Sequence, residues 1–79
     1  MHDVESELRQ IFAAVFRIDP AAVSDELTYE CISEWDSLSH LLLIEAIEQK
    51  FGIRVGTHDT IEMRSFAKAK AIVTKHLGS

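Results

Sequence analysis

The residues best suited to chemistry lie in one short run, Trp35-Asp36-Ser37-Leu38. A serine hydroxyl can act as a nucleophile when a neighbouring group removes its proton. His40 follows Ser37 at helical spacing, which makes it a candidate base. However, no third residue to orient the imidazole and no group to stabilise an oxyanion can be named, so a serine hydrolase is disfavoured and no catalytic residue is predicted.

The single cysteine, Cys31, is a weaker candidate. A nucleophilic cysteine needs a base and an electropositive setting, whereas Glu30 and Glu34 place negative charge near this residue in the sequence. We therefore interpret Cys31 as a structural residue of a loop or of the core. One cysteine cannot form an internal disulfide, and the scattered histidines predict no metal site; they are His2, His40, His58 and His76.

The length and composition of the chain limit its architecture and its partners. With 79 residues, of which 47% are hydrophobic, it is expected to form a single domain over residues 1–79. A net charge of −5 disfavours nucleic acid and favours partners with positive patches. The sequence has neither an apolar run of about 18 residues nor a basic, apolar leader, so we expect a cytoplasmic monomer without membrane insertion.

The elements that must position Ser37 begin with an amphipathic helix from Glu5 to Phe16. This helix should end near Asp19-Pro20, because proline disfavours helical backbone in the residue before it. Residues 21–35 show no sustained period, which predicts a long loop that can include a short helical turn, with Trp35 as its anchor. The apolar stripe of the helix is Leu8, Ile11, Phe12, Val15 and Phe16. Besides Trp35, the apolar residues of the loop are Val23, Leu27, Tyr29 and Ile32.

The strongest predicted helix runs from Ser37 to Phe51, where good helix formers dominate and Gly52 follows as a C-terminal cap. One apolar face of this helix should enter the core. A second places Leu38 and Leu42 beside acidic residues, which indicates an exposed docking face. The core face is Leu43, Ile44, Ile47 and Phe51, and the docking face also includes Glu45, Glu48 and Gln49.

The last third of the chain predicts two further helices. One or two helical turns are expected between Thr57 and Met63, and a longer helix from Ser65, its N-cap, to Leu77. The core stripe of the longer helix is expected to be Phe66, Ala69, Val73 and Leu77. Together the elements predict an all-α fold, a four-helix bundle with a long first loop and a short third helix.

Ser37 lies where the long loop meets the strongest helix. Backbone N–H groups and the positive dipole end of the helix favour an anion there, so a phosphate ester on Ser37 would be stabilised. Position and residue type alone favour a simpler interpretation, in which Asp36 or Ser37 only caps the helix.

The run Asp36-Ser37-Leu38, followed by a helix that ends in Ile47-Glu48-Gln49-Lys50-Phe51-Gly52, resembles the phosphopantetheine attachment region of acyl carrier proteins. In that family the serine opens the second helix of a four-helix bundle, after a long loop with an Asp-x-Leu segment that Asp25-Glu26-Leu27 matches here. The resemblance covers nearly the whole chain. Trp35 and Ser39-His40-Leu41 are more similar to discrete carriers of secondary metabolism and cell-surface assembly than to the housekeeping fatty acid carrier.

The resemblance implies that a phosphopantetheinyl transferase moves 4'-phosphopantetheine from coenzyme A to the hydroxyl of Ser37. Asp36 would help to position the serine, and Leu38 would contact partners at the modification site. The chain itself would be non-catalytic. Its cargo, held on the thiol of the arm, would come from an acyl-loading ligase or transferase and pass to downstream synthase or transferase enzymes.

The same resemblance implies a partner surface on the second helix, formed by Leu42, Glu45 and Glu48 and directed to basic patches. The alternative is that these glutamates are only a solvated helix face. Carboxylates that are frequent in fatty acid synthesis carriers are replaced here, which disfavours general fatty acid enzymes as partners. The replacing residues are Ser39, Leu42 and Gln49.

Two alternatives remain open. An aminoacyl or peptidyl carrier shares the bundle and the modified serine, although the acidic charge and the Asp-Ser-Leu form favour acyl or polyketide cargo. A helical interaction module would leave Ser37 unmodified and bind a partner helix through Leu38 and Leu42. Attachment of phosphopantetheine to Ser37 would distinguish either carrier from this module.

Overall fold

The computed structural model describes residues 4–29 and 31–78. Over these residues the chain forms a bundle of helices, and the predicted all-α fold with a long first loop and a short third helix is confirmed. Among the described helices, none is both long enough and apolar enough to cross a membrane. The helices are α1 (Val4–Phe16), a short 3-10 helix (Pro20–Ala22), α2 (Ser37–Phe51), α3 (Thr57–Glu62) and α4 (Phe66–Gly78).

An aromatic cluster in the core holds α1, the long loop and α4 together. The ring of Phe12 meets three other rings edge to face, those of Phe16, Trp35 and Phe66, at centroid distances of 5.6, 5.4 and 5.1 Å. Trp35 also stacks on Phe16 at 5.0 Å. All four side chains are buried, and such ring contacts add to the stabilisation that burial provides. Trp35 therefore anchors the long loop, as its sequence position predicts.

The helix α1 ends at Phe16, the last residue of its predicted range, and short of the stop expected near Asp19-Pro20. It ends there because Arg17 adopts a left-handed backbone with a φ of 57°. The N–H of Ile18 then donates to the carbonyl oxygen of Ala13 at 3.1 Å, which closes the helix end as a Schellman motif. The proline begins the 3-10 helix instead, and the aspartate before it is the N-cap of that helix.

The long loop is fastened to the junction between α3 and α4. Residues 27–29 run antiparallel to residues 64–66 through an isolated bridge. In this bridge the N–H of Tyr29 donates to the carbonyl oxygen of Arg64 at 2.7 Å. The junction thus fixes where Tyr29 stands relative to the start of α2. The loop side chains that are buried as predicted are Val23, Leu27 and Trp35.

An ion-pair cluster joins α1, the loop and α4 at one point. The ammonium group of Lys70 contacts the carboxylates of Asp25 and Glu5. The hydrogen bonds that Lys70 donates to Asp25 and to Glu5, in that order of size, raise its pKa, and the bond from Lys70 is the main cause that lowers the pKa of Glu5. Asp25, part of the loop segment that carries the family resemblance, thus has a structural role in this bundle.

The ends of α2 and the start of α4 follow the prediction, whereas the last turn of α4 does not. Gly52 ends α2 in a left-handed conformation with a φ of 65°. Ser65 caps α4, because its Oγ accepts a hydrogen bond from the N–H of Lys68 at 3.0 Å. The prediction that Leu77 belongs to the core is wrong, because the side chain is 45% exposed in a turn that extends past the core. Ile72 is buried in α4 instead.

Candidate functional site

Ser37 is the first residue of α2, and its side chain is exposed. Asp36, the residue before it, is the N-cap, since its Oδ1 accepts a hydrogen bond from the N–H of Ser39 at 2.9 Å. This bond is the main cause that lowers the pKa of Asp36 and favours its ionised form. The sequence leaves open whether Asp36 or Ser37 caps the helix. In the structure the cap is Asp36, and the hydroxyl of Ser37 remains available.

The hydroxyl of Ser37 borders a cavity of about 310 Å³ between α2 and α3. The hydroxyl oxygen of Tyr29 lies 3.4 Å from Ser37 Oγ, which is longer than the usual hydrogen bond between two hydroxyl groups. The guanidinium of Arg64 lies over the ring of Tyr29, 5.9 Å from its centroid, and borders the same cavity. An aromatic and cationic wall thus faces the serine. The other residues around the cavity are His40, Leu41, Thr60 and Ile61.

The imidazole of His40 is turned away from the role that a serine hydrolase would require. Nδ1 accepts a hydrogen bond from Nε1 of Trp35 at 3.0 Å, and Nε2 lies 2.8 Å from the carbonyl oxygen of Thr60. Both ring nitrogens are therefore engaged by Trp35 and α3. The described geometry brings His40 and Ser37 to one cavity without giving the serine an imidazole base.

Leu38, Leu41 and Leu42 of α2, with Ile61 of α3, form the exposed apolar patch. Leu38 and Leu42, the apolar residues of the predicted docking face, are 68% and 51% exposed. Leu41 and Ile61 are 62% and 59% exposed and both border the cavity beside Ser37, although neither belongs to the docking face predicted from the sequence. Clustered apolar exposure of this kind is typical of a surface that contacts another molecule.

The two glutamates of the predicted partner surface differ in how accessible they are to a partner protein. Glu45 is exposed, and its Oε1 accepts a hydrogen bond from Gln49 at 3.3 Å. Glu48 is partly buried, and its Oε2 accepts the N–H of Val55 at 2.8 Å, which fastens the segment after α2. Arg54 borders the same surface depression as both glutamates. The acidic character of this face is therefore centred on Glu45.

Cys31 is exposed in the long loop, which is one of the two places that the sequence analysis expects. Its neighbour Glu30, whose negative charge is part of the argument against a nucleophilic cysteine, lies outside the described residues. His2, one of the scattered histidines, also lies outside them.

No profile of a known protein family matches the chain. The fold is similar to a solved structure, the solution NMR structure of a holo acyl carrier protein from Geobacter metallireducens. The match has a TM-score of 0.84 and 28% sequence identity, and it covers 95% of this chain and 86% of the other. The bundle described above is therefore of the acyl-carrier type.

Proposed function

We propose that this chain is a carrier protein that holds acyl cargo as a thioester on a 4'-phosphopantetheine arm attached to Ser37. The observation that carries the proposal is the position of Ser37, an exposed serine that opens the second long helix of a bundle similar to a holo acyl carrier protein. Because Asp36 caps the helix, the hydroxyl of Ser37 is available for modification. The cavity and the apolar patch lie directly beside it.

The surroundings of Ser37 fit a phosphodiester. The positive dipole end of α2 and the guanidinium of Arg64 supply positive charge near the hydroxyl, while the carboxylate of Asp36 is engaged by the N–H of Ser39. A serine hydroxyl must lose its proton to act as a nucleophile. Because both nitrogens of His40 are engaged elsewhere, we assign the base for this step to the transferase.

In this proposal the chain is non-catalytic and its partners perform the chemistry. The arm, once attached, supplies a thiol on which the cargo is held. A long flexible tether raises the effective concentration of that cargo at a partner's active site while the bundle stays docked outside. The partners are a phosphopantetheinyl transferase, an acyl-loading ligase or transferase, and downstream synthase or transferase enzymes.

We assign docking to the apolar patch together with Glu45. Leu38 and Leu42 lie on the same side of α2 as Glu45, so a partner with a basic rim and an apolar centre would match this surface. Glu48 contributes less, because one of its oxygens is engaged by Val55. The proposed docking surface thus differs from the one that the sequence implies, because it relies on Glu45 more than on Glu48.

The cargo and the setting are part of the same proposal. An acidic net charge of −5 and the Asp36-Ser37-Leu38 form favour acyl or polyketide cargo over an aminoacyl or peptidyl group. The chain would act as a cytoplasmic monomer and a single domain over residues 1–79. The residues around the modified serine favour a role in secondary metabolism rather than general fatty acid synthesis.

The proposal is tested by the intact mass of the purified protein before and after incubation with coenzyme A and a broad-specificity phosphopantetheinyl transferase. We expect a gain of one phosphopantetheine, mapped to the peptide that contains Ser37. The Ser37→Ala variant should gain nothing while keeping a helical circular dichroism spectrum, because Asp36 rather than Ser37 caps α2.

Ser33→Ala is the matched control, since Ser33 is an exposed serine of the same region and should remain dispensable. Modification that persists in Ser37→Ala would overturn the site. If a demonstrably unmodified wild-type protein gains no mass, the helical interaction module becomes the leading function. Loading the modified protein separately with acyl and aminoacyl donors then decides between the two kinds of carrier.

A further inference from the structure

The hydrogen bonds of His40 specify its protonation state. Nε1 of Trp35 is 3.0 Å from Nδ1, and the carbonyl oxygen of Thr60 is 2.8 Å from Nε2. An indole nitrogen can only donate and a carbonyl oxygen can only accept, so the ring must accept at Nδ1 and donate at Nε2. The neutral imidazole with its proton on Nε2 is the form that satisfies both partners.

The helix that His40 contacts, α3, buries none of its own residues, although Val55 before it and its C-cap Met63 are buried in the core. Its N-cap, Gly56, provides no side-chain hydrogen bond. A helix of this length is not stable on its own in water. Towards α4, the carboxylate of Asp59 contacts His76 and Lys75. Towards α2, among the described residues, the hydrogen bond that holds α3 is the one between Thr60 and His40.

Thr60 and Ile61 of α3 border the cavity opposite Ser37 and Leu41 of α2, and His40 borders it as well. We infer that His40 is a positioning residue, which in its neutral Nε2–H form holds α3 beside the first turns of α2 and so sets the shape of the cavity and the apolar patch. Trp35 contributes by fixing the ring from the core side, where the two rings stack at 6.1 Å.

Acid should release this contact. A second ring proton would place an N–H of the imidazolium against the N–H of Trp35, two donors without an acceptor. The other titratable or charged groups near the ring are Tyr29, whose ring lies 6.0 Å away, Arg64 across the cavity, and Asp36 one helical turn earlier. Asp59, next to Thr60, is paired with α4.

The functional consequence rests on the proposed carrier function. A transferase that covers the apolar patch contacts residues of both α2 and α3, among them Leu41 and Ile61. If α3 moves away from α2, Ile61 separates from the leucines of the apolar patch, whereas Ser37 itself is unchanged. Loss of the His40 contact should therefore weaken docking of the transferase without changing the chemical step.

The inference is tested first on the unmodified protein by nitrogen-15 NMR of the histidine rings and of the indole of Trp35, the only tryptophan. At neutral pH we expect the proton of His40 on Nε2 and an indole proton protected from exchange with water. On acidification, the indole resonance of Trp35 and the amides of α3 should shift together with the ring nitrogen resonances of His40. A neutral ring protonated on Nδ1, or an indole resonance that does not follow the ring nitrogens of His40, would overturn the inference.

Two variants and a control separate positioning from general stability. His40→Gln keeps a donor and an acceptor, so it should retain the neutral-pH spectrum of α3 and lose its pH dependence. His40→Leu keeps neither and should shift the amides of α3 at every pH. His58→Gln is the matched control, because His58 is an 86% exposed histidine on α3 itself and should leave the pH dependence of the Trp35 indole resonance unchanged.

Transfer of phosphopantetheine then measures the functional consequence at neutral pH. His40→Leu should raise the KM of the transferase for the carrier on the order of fivefold at an unchanged kcat, and His40→Gln should restore the wild-type KM. Equal KM values for all three proteins would refute the effect on docking. If the wild-type protein is not modified at all, the carrier function fails, and the NMR result still decides whether His40 positions α3.

Discussion

Two helices of this bundle, α1 and α3, are held by different kinds of contact. The stripe predicted for α1 is largely buried, with Leu8, Phe12 and Phe16 in the core and Ile11 and Val15 packed against it. In α3 none of the residues is buried, and its contacts with α2 and α4 include the polar ones of Thr60 and Asp59. Apolar burial fixes the position of α1 over a wide range of conditions, whereas polar contacts can be changed by pH or by a partner.

This difference matches the location of the candidate site. Ser37 lies at the start of α2, between the rigid aromatic core on one side and α3 on the other. In the proposed carrier function, Ser37 would be presented to several enzymes in turn. A fixed attachment point with one adjustable wall would serve that task better than a site enclosed by the core.

The largest effect is expected from the core side. Phe12→Ala removes a ring that touches three other rings and should lower the free energy of unfolding by about 3–5 kcal/mol. Chemical denaturation followed by circular dichroism measures the change. Should the alanine variant fail to fold, Phe12→Leu, with an expected loss of about 1 kcal/mol, provides the measurement.

Ile61→Ala is the matched apolar truncation on α3. Its side chain is 59% exposed, so the free energy of unfolding should change by less than about 0.5 kcal/mol. A loss as large as that of Phe12→Ala would mean that α3 belongs to the core, and the contrast between the two helices would be broken.

An effect between those of Phe12→Ala and Ile61→Ala is expected at the start of α2. Asp36→Ala removes the acceptor for the N–H of Ser39 and should lower the midpoint of thermal unfolding by roughly 5 °C. Asp36→Asn retains an acceptor and should restore most of the loss. Both variants are compared with Ser37→Ala, which should leave the midpoint nearly unchanged. If Ser37→Ala is the more destabilising variant, the assignment of the cap to Asp36 is wrong.

The sequence predicts the long helices and the place of Ser37 because the information for them is local. Apolar periodicity defines α1, and the capping residues Asp36, Gly52 and Ser65 mark ends that the structure reproduces. The end of α1 is different, since Arg17 adopts a left-handed conformation that no glycine announces. Periodicity also cannot show where a helix extends past the core, and for this reason the prediction that Leu77 belongs to the core is wrong.

The wall of the cavity could not be predicted, because it depends on contacts between distant segments. Tyr29 reaches Ser37 through the bridge between the loop and the junction of α3 and α4, which also brings Arg64 to the site. Likewise, the sequence places His40 at helical spacing from Ser37, but the imidazole bonds to Thr60. The orientation of His40 could have been predicted from its proximity to Trp35 in the sequence, because the two side chains carry complementary hydrogen-bonding atoms.

A weaker effect than that of Asp36→Ala, and the one most dependent on pH, is expected where α3 meets α4. A hydrogen bond from His76 and the charge of Lys75 lower the pKa of Asp59. A carboxyl group whose pKa is lowered by folding stabilises the protein above the pKa of the unfolded chain, about 3.9 for aspartate, and this contribution is lost as the pH falls through the lower folded value.

Asp59→Asn should therefore reduce the midpoint of thermal unfolding at pH 7 by less than Asp36→Ala does, and the difference from wild type should vanish in acid below the lowered pKa. Glu62→Gln, which alters an exposed carboxylate of the same helix, is the control and should show almost no difference at either pH. A deficit of Asp59→Asn that persists in acid would show that packing rather than charge holds α3 to α4. In that case α3 would resemble α1, and only its contact with His40 would remain adjustable.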